Sequence, residues 1–277
     1  MKNIRNLFVL LFSLLLFSCD KTEDLGESNI FINEERNEID QWIYDNITKE
    51  FNVEVKYKWD ATELELDKTL TAPEMSKVIP FLEVLKEVWI DTYKEEGGAD
   101  FIKRMIPKQI VLVGSKNFNS DGTITQGTAE GGRKVVLYQI NEFEKSDKRF
   151  LKRLFHVMHH EFGHILHQEV LYPEEFKLLT PGGYTAAWEN VSLEDALNEG
   201  FISPYSKNII DDDWVEIIAH MLTNSKADYD AIVAKASEAG QVILKQKETY
   251  VAAYFQDVWN IDIYKLQKRI SDIIESY

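Results

Sequence analysis

Ten residues near the middle of the chain, His159-His160-Glu161-Phe162-Gly163-His164-Ile165-Leu166-His167-Gln168, narrow its possible folds more than any other stretch. Residues four apart on a helix sit one turn above each other, so the imidazoles of His160 and His164 can converge on one tetrahedral metal ion. Glu161 projects beside that point, where it can act on water rather than ligate the metal. Phe150, Leu151, Leu154, Phe155, Val157 and Met158 before the motif, and Phe162, Ile165 and Leu166 within it, recur at helical spacing. The pattern predicts a helix that starts at Ser146-Asp147, stops near Tyr172-Pro173 and buries one face, with the motif in its middle.

Two histidines leave zinc short of protein ligands. His167 lies on the same helical face, but it starts roughly 10 Å along the axis from His160, so three ligands from one straight helix would be strained. In metzincin-type peptidases the third histidine stands six residues beyond the second, and here that position is Val170. His167 is therefore expected behind the ligands or along the cleft. Asp211-Asp212-Asp213-Trp214-Val215-Glu216-Ile217-Ile218-Ala219-His220 offers the missing group. Asp212 and Glu216 are four apart on a helix whose other face is apolar, so one carboxylate can ligate zinc while the other accepts from the far ring nitrogen of a ligating histidine. An acidic cap at a helix start is the competing reading, above all for Asp211 and Asp213. His156 extends the histidine stripe towards the cleft, whereas His159 and His220 read as surface or packing residues.

The chain opens with Lys2 and Arg5, an apolar run from Leu7 to Phe17 and no acidic residue before Cys19, the pattern of a secretory leader over residues 1–18. Leu16-Phe17-Ser18-Cys19 resembles the bacterial lipobox, which implies lipidation of Cys19 and attachment to a membrane through that lipid. Cys19 is the single cysteine, which excludes an intrachain disulfide. Residues 19–29 read as a lipidated, acidic tether, similar to the surface-export signals of some Gram-negative lipoproteins, and residues 30–277 as the folded domain. Without Lys2 and Arg5, 29 basic residues stand against 47 acidic ones, a formal charge of −18. Such a surface makes nucleic acid a poor partner.

Helical spacing predicts helices over 34–49 and 73–93, the latter ended by Gly97-Gly98, and the alternation of Val53, Val55, Tyr57 and Trp59 predicts a strand over 52–59. Gln109–Val113 and Lys134–Ile140 read as further strands. The second is expected either as the edge that binds extended peptide beside the motif helix or as a fully paired inner strand. The order is α+β: an α/β lobe to about residue 170, with a small, mostly antiparallel sheet beside the motif helix, then a mainly helical lobe. Thr180–Tyr184 and Trp188–Glu199 form a long connection of the kind that carries a lid. The helical pattern of 226–277 buttresses the site and carries no chemistry.

Taken together, the lipobox, HEFGHILHQ, Gly200-Phe201-Ile202-Ser203-Pro204-Tyr205 and DDDWVEIIAHM resemble the zinc metallopeptidase lipoproteins associated with starch-utilisation-type outer-membrane import systems. A more distant likeness is to gluzincins of the anthrax lethal factor type, which implies a zincin-like fold, one zinc per chain, Asp212 as third ligand, Glu216 behind a ligating histidine and Tyr205 assisting catalysis. The departure is Asp for Glu at the ligand position, one methylene shorter, so either the helix moves closer to the zinc or Glu216 is the ligand. The resemblance implies hydrolysis of a peptide or protein substrate, with Glu161 as general base, at the cell envelope and outer membrane, linked to nutrient import. The alternative is a non-catalytic, zinc-containing lipoprotein that binds glycan or peptide for an import complex.

Overall fold

Two facing helices, Lys148–Glu169 and Ile210–Thr223, lie at the centre of the computed structural model, which describes residues 36–277 apart from 65, 66, 120, 121 and 131. The leader, Cys19 and the tether lie outside the described residues. Helix α1 covers 38–51 and ends at Asn52, which takes a left-handed conformation. Helix α2 covers 75–97 and stops where Gly98 takes φ 85°, and α3 follows at Ala99–Met105. Val78, Phe81, Leu82, Leu85, Val88 and Trp89 of α2 are fully buried, as their spacing predicts.

The strands are β1 (Glu54–Lys56), β2 (Gln109–Leu112), β3 (Asn117–Phe118), β4 (Ile124–Thr125), β5 (Gly127–Glu130) and β6 (Lys134–Leu137). The main sheet has the order β1-β2-β6-β5, and β3 pairs with β4 apart from it. The sheet is mixed rather than mostly antiparallel: β1 with β2 and β2 with β6 are parallel, and β5 with β6 is antiparallel. Burial explains the difference. Ile110, Leu112, Val135 and Leu137 pack into the main core, while Val111, Val113, Val136 and Tyr138 pack on the opposite face with Leu70. Strands covered on both faces read as unbroken apolar runs, the usual state of parallel strands. Because β6 lies between β2 and β5, Lys134–Leu137 is an inner strand, and the edge beside the motif helix is β5.

Helix α4 (Lys148–Glu169) carries the motif and starts where the Asp147 carboxylate accepts from Phe150 N at 3.0 Å. Beyond it come α5 (Leu193–Asn198), α6 (Ile210–Thr223), α7 (Lys226–Val233), α8 (Glu238–Trp259) and α9 (Ile263–Ser276). One hydrophobic core runs from Trp89 and Phe162 through Trp214 to Phe255 and Leu266, so the two expected lobes share their interior. Helices α8 and α9 pack against α6: Lys247 of α8 lies 2.5 Å from Asp213, and the Gln267 amide of α9 donates to Met221 O at 2.7 Å and to Asn224 O at 3.1 Å, closing the end of α6. No helix among the described residues is long and apolar enough to cross a membrane.

Candidate metal centre

The distance between α4 and α6 is set at Gly163. A Cβ there would stand 2.9 Å from Val215 Cγ1 and 3.1 Å from Val215 Cβ. The bare backbone lets α6 approach, which compensates for the shorter aspartate side chain. Asp212 is 5% exposed and its Oδ1 lies 3.3 Å from His164 Nε2 and 3.9 Å from His160 Nε2, while the two Nε2 atoms are 3.2 Å apart. His160, His164 and Asp212 thus converge, and Glu216 points elsewhere.

Glu216 lies behind His160. Its Oε1 is 2.9 Å from His160 Nδ1 and 2.9 Å from His156 Nε2, and its Oε2 accepts from the Ser203 hydroxyl at 2.6 Å. Burial alone would raise this carboxyl, but the charge of His156 and the hydrogen bonds from His156, His160 and His220 bring it well below the usual range. An ionised carboxylate only accepts, so Nδ1 of His160 carries the proton and Nε2 offers its lone pair. His164 has the same option, because its Nδ1 lies 3.0 Å from His167 Nε2. His167 therefore stands behind a metal-facing histidine, where burial lowers its pKa.

Two imidazole lone pairs and a carboxylate oxygen aimed at one another repel unless a cation lies among them. Zinc bonded at about 2.0–2.1 Å in tetrahedral geometry requires donor separations of about 3.3 Å, close to the 3.2 and 3.3 Å to His164 Nε2, while His160 Nε2 and Asp212 Oδ1 stand wider at 3.9 Å. The donor set fits zinc. Asp212 is also anchored from outside, since Asn208 Nδ2 donates to its Oδ2 at 2.6 Å. Burial raises the Asp212 carboxyl, yet the neighbouring His164 and the hydrogen bond from Asn208 leave it net lowered, which favours the anion.

Glu161 and Tyr205 line a cavity of about 460 Å³ with His156, His160, Trp188 and Ser203. Burial raises the Glu161 carboxyl, His160 and His164 partly offset this, and Asp212 adds to the rise. The Tyr205 ring lies 5.6 Å from that of His160 and meets Trp188 edge-on at 4.9 Å. Burial, with the charges of Asp212, Glu216 and Glu161, pushes the Tyr205 hydroxyl up to about 12, so it remains a donor at neutral pH.

The remaining expectations fare unevenly. The acidic cap on α6 does not form: its N-cap is Ile209, without a side-chain hydrogen bond. Asp211 instead accepts from the Tyr172 hydroxyl at 2.5 Å. Asp213 is fully buried, 2.5 Å from Lys247 Nζ and 3.0 Å from the Tyr184 hydroxyl, and this ties the long connection to α8. His159 is not at the surface. It is fully buried 3.2 Å from the Tyr93 hydroxyl, and burial, with the charge of His156, lowers its pKa to about 3. His220 belongs to the site, its Nε2 3.5 Å from Glu216 Oε2. Asn208 and Ser203 were missed. The only sequence signal for Asn208 is its place four residues before Asp212.

A histidine pair and a carboxylate on facing helices could hold a zinc ion, with a glutamate beside them in an open cavity. The chain belongs to the family described as "putative zinc-binding metallo-peptidase", whose model matches residues 32–264. A solved structure of a protein given that same description, from Bacteroides caccae, is similar to it at 34% identity and a TM-score of 0.76, over 86% of this chain and 92% of that one. No curated protein matches.

Proposed function

We propose that the protein is a zinc metallopeptidase in which His160, His164 and Asp212 hold the ion and Glu161 is the general base. When bound, zinc supplies Lewis acidity, polarising the scissile carbonyl and acidifying water. Glu161 takes the proton of the attacking water and delivers it to the leaving amine. The Tyr205 hydroxyl donates to the developing oxyanion, and Glu216 holds His160 in the tautomer that ligates. One observation supports the reading: three donor atoms of the right kind within 3.2–3.9 Å of one another, with Glu161 beside them at the adjoining cavity.

The test compares wild type with Glu161→Gln on a peptide library, with zinc measured in both. The expected result is one zinc per chain in each and turnover lower by about 10²–10⁴ in the variant. Equal digestion by both would sink the mechanism. No cleavage by either would favour the non-catalytic binding lipoprotein.

The leader and Cys19 support attachment through a lipid, and the family resemblance supports the outer membrane and a nutrient-import complex as the setting. Cys19→Ser should release the protein from the membrane fraction and abolish labelling by a fatty-acid probe. Unchanged fractionation would remove the anchor from the account.

A further inference from the structure

The cavity at the metal centre does not end at His156. A second hollow of about 300 Å³ is lined by Gln126, Lys152, Arg153, His156, His220 and Asn224 among others, and His156 and Val157 border both. On the sheet side Gln126 lines one and Gly127 the other. The two hollows therefore lie side by side along α4, a groove from the histidine pair towards the helix N-terminus that His156 and Val157 line in its middle.

The charge of the second hollow is opposite to that of the protein. The formal charge of the chain is −16, yet the second hollow is lined by Lys152 and Arg153 and by no carboxylate. Lys152 is held by Glu275 at 3.2 Å. Arg153 is exposed, rests 6.0 Å from the Phe150 ring and has no carboxylate partner among the described residues. A guanidinium presents paired donors that match a carboxylate, and a local cation on an acidic surface singles out its position for an anionic group.

We propose that this end of the groove is a subsite for an acidic side chain of the substrate, with Arg153 as the residue that selects it. The proposal rests on the peptidase reading. Arg153 precedes His160 by seven residues, about 10 Å along the helix axis. An extended peptide advances about 3.3–3.6 Å per residue. The acidic residue therefore falls two or three positions from the bond that is cut.

The zinc-loaded protein is given peptide pairs that differ only by Asp or Asn, with the substitution moved through the positions on either side of the cleaved bond. Asp two or three residues away on one side should raise kcat/KM about fivefold over Asn, as expected for an exposed ion pair, with no preference elsewhere. Arg153→Glu should abolish the Asp preference and favour Lys over Asn at that position. Equal cleavage of the Asp and Asn peptides, or a preference that survives Arg153→Glu, would overturn the subsite. Binding of the same pairs to Glu161→Gln protein separates this failure from failure of the peptidase reading. An Asp preference in binding without cleavage by wild type would keep the subsite and remove the peptidase, whereas equal binding would remove the subsite.

Discussion

Two clusters of histidine and carboxylate sit one helical turn apart on the same pair of helices, α4 and α6. In the first, His160, His164 and Asp212, acceptor atoms face one another, an arrangement that could hold a metal ion. In the second, His156, Glu216 and His220, a carboxylate sits among imidazole nitrogens, with Ser203 donating to it as well. There the carboxylate is met by hydrogen-bonding groups rather than by other acceptors, with His156 and His160 each at 2.9 Å and Ser203 at 2.6 Å. The residue types are the same in both, and the difference lies in what stands behind each ring. His160 is turned towards the metal site because Glu216 occupies its far nitrogen, so the second cluster orients the first.

This difference can be attacked at each end. Asp212→Ala removes a ligand and should weaken zinc binding by more than a hundredfold, measured by competition with a chelator of known affinity. Glu216→Gln leaves the ligands in place and frees only the far side of His160, so the loss should be about 10- to 100-fold. Similar losses in the two variants would erase the distinction between ligand and support.

The smallest effect expected is one of pH. Burial would lower the His156 pKa, but the charge of Glu216 and its hydrogen bond outweigh that and raise it. A histidine raised on folding contributes stability that is complete below its unfolded pKa of about 6.5 and is lost as pH rises through the folded value. In zinc-free protein the melting temperature of wild type should therefore exceed that of His156→Gln most at pH below about 6.5, and the gap should narrow as pH rises. A gap that widens with pH would contradict the ion pair.

Much of this was legible in the residues, and the gaps have physical causes. Helices α2 and α4 could be placed because one-sided burial imprints a period on the sequence. Strand direction could not, because Gln109–Leu112 and Lys134–Leu137 are apolar on both faces and such runs carry no sign of parallel or antiparallel pairing. The order of Asp212 before Glu216 stayed open in the residue pattern, since either carboxylate could reach a shared pocket. What separates them is the helix spacing allowed by Gly163 against Val215, a contact between distant segments. Asp213 read as a helix cap because its partner, Lys247, lies 34 residues further on. For His159 the pattern leaves surface and packing open, because helical spacing shows only that it faces away from His160; its neighbour Tyr93 comes from α2 and makes it a packing residue.

Zinc-edge anomalous diffraction from crystals of the metal-loaded protein tests the central claim most directly. The account predicts one strong peak within bonding distance, about 2.0–2.2 Å, of His160 Nε2, His164 Nε2 and Asp212 Oδ1, with Glu216 still on His160 Nδ1. A peak ligated by Glu216, or one lying among His156, Glu216 and His220 instead, would contradict it.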